Sequence, residues 1–443
     1  MPEELDSRGL SRKDLLKRAG VGAGGLIVSG AFAEPIWARQ KDADALDAST
    51  IKIGFVSPLT GPAAGFGEPD PYVIGLARKA FASGLTIGGT KYGVQIIDKD
   101  AQSAPAQSAK VTGQLIHGNG IDLLLATSTP EVVNPAADAA EAAGVPYITT
   151  VVPWEAWYYG RGAKSPTASP FRYGYHFCFG IANFFDAYTH LWPQVTTNKK
   201  VGVMWPNDAD GNAIRSGLGP LLTKAGYTIV DPGAYQDGTT DFSTQIAQFK
   251  SEQCEIFNTF PIPPDFATFW RQAAQQCYTS IVKIAQIAKT GLFPSQVTAL
   301  GSIGNNLASA CYWHPTWPYT SSLTGISSKQ LAAGYTAHSG KQWNQQAGAS
   351  LALFDVAAAA LKASGNPKDK NAVAAAMKKV KVETPLGVLN WGVARPGVPF
   401  NVVPTPIPGG QWVPVPGKFK IDFTICEHSD DKHIPIGGHL KPY

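Results

Sequence analysis

From Ile51 the chain repeats one unit: a short apolar run, a Gly- or Pro-containing turn, and a stretch with helical spacing. The runs are IKIGFVSPL, VQIIDKD, DLLLATS and PYITT. Short continuous apolar runs suit strands covered on both faces, and helices between them do the covering. PAQSAKVTGQLI after Pro105 and EVVNPAADAAEAAG after Pro130 carry small or apolar residues at helical intervals, and Gly144 stops the second before PYITT. The pattern predicts parallel β/α winding.

A second round begins at Val201 with VGVMWPN and continues through YTIVDPG, EIFNTF and KIAQIA, each followed or preceded by a helical stretch. Two α/β lobes follow, each a doubly wound parallel sheet. Between them, WEAWYYGRGAKSPTASPFRYGYHF breaks the rhythm and is expected to carry the chain across. After Ala310 the irregular run CYWHPTWPY precedes helix-like stretches from Ser328 to Val380, which return to the first lobe. The Pro-rich tail from Leu386 suits edge strands and is assigned to the second. The expected boundaries are 51–172 and 320–385 for lobe 1, and 173–319 and 386–443 for lobe 2.

The first 33 residues read as an export signal: a basic segment, SRKDLLKRAG, then the apolar run VGAGGLIVSGAFA. That run is shorter than the roughly 20 residues of a membrane-spanning helix, and Ala31-Phe32-Ala33 offers a cleavage site. Arg12, Leu15, Leu16 and Lys17 resemble a twin-arginine signal, from which Lys13 departs; a general secretory signal is the alternative. Residues 34–50 form a linker, and the location is periplasmic or otherwise extracytoplasmic. Cleavage removes five basic and four acidic residues, taking the formal charge from +4 to +3, too weak for a nucleic-acid footprint. Gly20, Gly22 and Gly25 spell a dinucleotide fingerprint, but no strand precedes them. Five cysteines in an exported chain permit disulfides. Cys254 and Cys277, which open a strand-like run and close the following helix, are the preferred pair.

Several segments, IKIGFVSPLTGPAAGFGE, IIDKDAQSAPAQSAK, AAEAAGVPYITT and GTTDFSTQIAQFK, are similar in sequence and order to the branched-chain amino-acid-binding (Leu/Ile/Val-binding) family of type I periplasmic solute-binding proteins. The resemblance implies two lobes joined by a three-segment hinge, a ligand-binding cleft that closes on a small molecule, and a monomer that hands its ligand to the membrane permease of an ABC importer. No cofactor and no catalysis are implied.

Open α/β sheets bind ligands beyond the carboxyl ends of their strands, which selects the candidate residues. Phe66, between glycines after the first strand, is an aromatic wall or packs under its own loop. Ser128 and Thr129 end DLLLATS at a helix start, where hydroxyls grip a carboxylate or carbonyl oxygen or simply cap the helix. Thr149 and Thr150 end the next strand, and the family uses that stretch for contacts. Trp154 lines the cleft or packs the hinge. In the second lobe Asp210 meets a polar or cationic group or caps its helix, and Phe260 supplies an opposing wall. Amino-acid-binding relatives place a carboxylate where IAKTGLF presents Lys289. That departure favours an acidic or aromatic ligand over an ammonium, unless Asp210 or Glu155 meets the ammonium instead.

His428, Asp430, Asp431, His433 and His439 cluster near the C-terminus; an exposed tail is expected there rather than a metal site. A sensor reporting occupancy to a membrane receptor is the rival function. An enzyme lacks support, since neither H-E-x-x-H nor a phosphate-binding G-x-x-x-x-G-K-S/T loop occurs.

Overall fold

The computed structural model describes residues 49–443. The expected export signal, and nearly all of the linker after it, lie outside the described residues.

Two seven-stranded sheets organise the described residues. The first contains β1 (Thr50–Ser57), β2 (Leu85–Ile87), β3 (Thr90–Asp100), β4 (Leu123–Thr127), β5 (Tyr147–Thr150), β6 (Gly174–Phe177) and, from far along the chain, β14 (Val402–Val403), in the order β14-β6-β5-β4-β1-β3-β2. The second contains β7 (Lys200–Met204), β8 (Thr228–Val230), β9 (Ile256–Thr259), β10 (Ile284–Ile287), β11 (Ala308–Ala310), β15 (Gly409–Pro414) and β16 (Ile421–Ile425), in the order β16-β15-β11-β10-β9-β7-β8. A hairpin of β12 (Lys381–Thr384) and β13 (Gly387–Asn390) stands apart from both.

In each sheet the winding reverses at its founding strand. β1 pairs in parallel with β3 on one side and β4 on the other, and β7 pairs likewise with β8 and β9. Such reversals leave a crevice beyond the strand ends, because the loops on either side depart in opposite directions. β4, LLLAT, is buried at every position, as befits a central strand covered by helices on both faces. The 18-residue helix Gln346–Ala363 is almost wholly buried and apolar all round. It packs on β4 and β5, and its Phe354 stacks on Phe55 of β1 at 5.5 Å. The helical region after Ser328 thus covers the first sheet.

Strand pairing places two of the three crossings later than the sequence reading put them. Gly174–Phe177, expected at the start of the second lobe, pairs in parallel with β5, Tyr147 opposite Gly174. Val402–Val403, expected in the second lobe, extends the first sheet beside His176 and Phe177. The sheet a buried apolar run joins depends on its neighbours, which its own residues do not reveal. The crossings are therefore the segments between Phe177 and Ile181, between Ala310 and Ser328, and between Val403 and Gly409. Most of the aromatic connector packs within the first lobe, and only its first turn reaches the helices beyond the first crossing. Trp157 stacks on His176 at 4.7 Å, and the Arg161 guanidinium lies 4.0 Å over Phe171 while pairing with Asp138.

Cys254 and Cys277 do not form the expected bridge; all five cysteines are free thiols. Cys254 turns inward beneath Gly202 of β7, whereas Cys277 sits exposed on a turn with φ of 60°. The C-terminal segment is no loose tail either. Tyr443 Oη donates to the Ile303 carbonyl at 3.0 Å, and Tyr319 donates to Asp431. Among the described residues no helix is long and apolar enough to cross a membrane, and no His, Cys, Asp or Glu group is arranged to hold a metal.

Candidate functional site

The strand ends at the two reversals face each other across the gap and enclose a mostly apolar cavity. Phe66 follows β1, Ser128 and Thr129 follow β4, and Val151 and Pro153 follow β5; from the other lobe come Asp210 after β7, Phe260 after β9 and Lys289 after β10. Its volume is about 40 Å³, on a scale where one water occupies roughly 10–15 Å³. The lobes lie close together. Phe66 meets Phe293 of the second lobe edge-to-face at 4.8 Å. Gly65 abuts the Phe293 ring, where a Cβ would stand 3.2 Å away.

The first lobe offers neutral groups in a strained frame. Ser128 has φ of 129° and Val151 has φ of 74°. Non-glycine residues held there cost about 1–3 kcal/mol each, a strain that recurs at ligand clamps. Ser128 is buried and its Oγ finds no hydrogen-bond partner in the protein. Thr129 holds the N-cap position of the helix Pro130–Ala142, but its side chain makes no cap bond. Neither hydroxyl is therefore spent on the ordinary capping role.

The second lobe offers charge. Lys289 Nζ lies 2.9 Å from Asp210 Oδ2 and 3.2 Å from Asp208 Oδ2, and the three side chains are only 8, 4 and 7% exposed. Asp208 is also the true N-cap of the helix Ala209–Lys224, accepting from the Gly211 amide at 2.6 Å. The capping role considered for Asp210 thus belongs to its neighbour. Burial pushes the Asp210 carboxyl up to about 7, with Lys289 opposing and Asp208 and Glu131 reinforcing. Burial works to lower the Lys289 pKa, but Asp210, Asp208 and Glu131 raise it well above its ordinary value, so the ammonium stays charged. Two carboxylates share one ammonium, and Asp210 Oδ1 is left buried without a partner.

Four candidates sit elsewhere. Thr149 Oγ1 is 2.8 Å from His176 Nδ1, and Thr150 Oγ1 donates to the Phe177 carbonyl at 2.6 Å, so both hydroxyls are used inside the first sheet. Trp154 packs against Gly180 at the first crossing. Glu155 accepts from the Ile181 amide at 3.0 Å, again at that crossing and not among the cavity's lining residues.

A family model described as periplasmic binding protein matches residues 50–397. The chain belongs to that family. Among its relatives, Leu/Ile/Val-binding protein homolog 3 of Brucella melitensis is 25% identical over 214 residues, covering 46% of this chain and 53% of the relative, so the chain matches about half of that protein's length. The branched-chain amino acid substrate-binding protein LivJ of Streptococcus pneumoniae, solved with isoleucine, has a TM-score of 0.66 at 19% identity, covering 85% of this chain and 99% of its own. A solute-binding protein of an ABC transporter from Rhodopseudomonas palustris, solved with 3,4-dihydroxybenzoic acid, has a TM-score of 0.67 at 20% identity, covering 85% of this chain and 96% of its own. At these identities the structural likeness is one of fold.

Within this periplasmic binding protein, the sequence reading missed Asp208, Val151, Phe179, Phe184, Leu292 and Ile407 near or at the cavity. Asp208 had a visible signal: an acid one residue before a helix, two before Asp210. The aromatic and aliphatic wall had none, because it is assembled from separate segments: Phe179 and Ile407 from two crossings, and Val151, Phe184 and Leu292 from elements of both lobes.

Proposed function

We propose that this chain is the exported binding component of an ABC-type importer, capturing one small organic solute between its lobes and presenting the closed form to a permease. The observation that carries this reading is the pair of buried oxygens, Ser128 Oγ and Asp210 Oδ1, that opposite lobes bring unpartnered to one apolar cavity. A buried polar group without a partner costs about 1–3 kcal/mol. A ligand that satisfies both therefore favours the closed arrangement over the open one.

The same pair describes the ligand. The Lys289 charge is already taken up by Asp208 and Asp210, which removes the reason to expect repulsion of an ammonium. A carboxylate toward Ser128 and Thr129, an apolar body between Phe66 and Phe260, and a hydrogen-bond donor toward Asp210 fit this set. Isoleucine and 3,4-dihydroxybenzoate, bound by the two structural relatives, both have that form, with an ammonium or a phenol as donor.

Isothermal titration of the unfolded-and-refolded chain with isoleucine, 3,4-dihydroxybenzoate and benzoate tests it. Benzoate lacks the donor and should bind at least about tenfold more weakly than the better of the other two, about 1.4 kcal/mol. Equal affinity for benzoate would remove Asp210 from the site, and turnover of any of them would replace binding by catalysis.

A further inference from the structure

The acidic and histidine-rich segment near the C-terminus touches every crossing. Asp430 Oδ2 accepts from the Ile407 amide at 3.1 Å, within the third crossing, and from Asn183 Nδ2 at 3.2 Å. Asn183 Oδ1 in turn accepts from the Gly180 amide, within the first crossing, at 2.8 Å. Asp431 accepts from the Tyr319 hydroxyl, within the second. Glu427 accepts from the Gly409 amide, where the third crossing enters β15. One loop thus holds, directly or through one side chain, all three strings of the hinge.

That loop is itself built and anchored. The Asp431 amide donates to the His428 carbonyl, the Ile434 amide to the Asp431 carbonyl, and His433 closes on Asp431 Oδ1 at 2.9 Å. On either side the chain is tied to the second lobe: Gln194 bridges the Cys426 carbonyl and the Leu440 amide, each at 2.9 Å, and the Tyr443 amide donates to the Lys283 carbonyl. The family match ends at residue 397, before this segment begins.

We propose that residues 427–434 form a clasp on the hinge, in which Asp430 and Asp431 are positioning residues that limit how far the lobes separate. The proposal rests on the reading that the lobes open and close around a ligand. A carboxylate held by backbone and side-chain donors from separate strands resists their relative rotation, since any swing at one crossing must lengthen a charge-assisted bond or drag the other two crossings with it. No residue of the clasp lines the cavity, and its one tie to the wall is the Asp430 bond to the Ile407 amide, so it acts on the opening equilibrium through the third crossing and not as a ligand contact.

The test uses the full chain and four variants: D430N, D431N, Y319F, which removes the same Tyr319 bond from the crossing side, and Gly65→Leu, a wedge against Phe293 in the gap. Amide exchange by mass spectrometry and lobe separation by small-angle scattering are read alongside thermal melting. D430N and D431N should speed exchange in peptides spanning 178–183, 316–320 and 404–409 by about tenfold or more and widen the separation, with Y319F acting on 316–320, while melting stays nearly unchanged. Faster exchange confined to 427–434, with unchanged separation, overturns the clasp while a response to the wedge keeps the opening reading. Scattering unmoved by the wedge as well would overturn both.

Discussion

The two walls of the cleft are made from different physics. The first lobe presents uncharged groups, Ser128 and Thr129, in a backbone held at strained angles. The second presents three ionisable side chains in mutual contact, Asp208, Asp210 and Lys289, almost sealed from solvent. The first wall depends on the sheet and helix around it to hold one conformation. The second depends on charge balance, since no buried member can be removed without stranding the others. The difference teaches that a change on the charged side of the gap must disturb lobe stability, whereas a change on the neutral side need not.

Lys289→Met breaks the comparison hardest. It leaves two carboxylates buried without their ammonium, and a loss of about 3–5 kcal/mol in unfolding free energy is expected at pH 8, read by urea denaturation. A loss below about 1 kcal/mol would mean that the triad is solvated and the two walls are alike.

Asp210→Asn should be milder for the fold and specific for binding, lowering isoleucine affinity by about 2 kcal/mol, roughly thirtyfold. It should also erase a pH dependence. With its pKa raised from 3.8 to about 7, Asp210 in the wild type must lose a proton to accept an ammonium, so isoleucine affinity should fall about tenfold per pH unit below 7. Folding runs the other way. A carboxyl whose folded pKa exceeds its unfolded value binds protons better when folded, so this group favours the native state as pH falls from about 7 to about 4. Calorimetric titration and melting between pH 5 and 8 separate the two trends, and parallel trends would contradict the assignment.

On the neutral wall the signs part company. Ser128→Gly relieves the backbone at φ of 129° and should stabilise the fold by about 1 kcal/mol, while loss of the hydroxyl weakens ligand binding by about 1 kcal/mol. Stability and affinity falling together would show that Ser128 serves the fold.

What could be read in the residues alone is what local rhythm dictates. Alternation of apolar runs with helical stretches is a property of consecutive residues, so the two α/β lobes followed from it, and so did the positions just past the strand ends where Phe66, Ser128, Thr129, Asp210, Phe260 and Lys289 stand. Direction and partnership were not there to be read. Thr149 and Thr150 end a strand too, but pairing with β6 turns their hydroxyls into the sheet. Lys289 lies 81 positions from Asp208, and only the sheet order that sets β10 two strands from β7 closes that distance. The allegiance of Gly174–Phe177 and Val402–Val403, the unpaired Cys254 and the hold of Asp430 and Asp431 on the hinge are of the same kind: they depend on which distant segments become neighbours, a choice made by packing the whole chain.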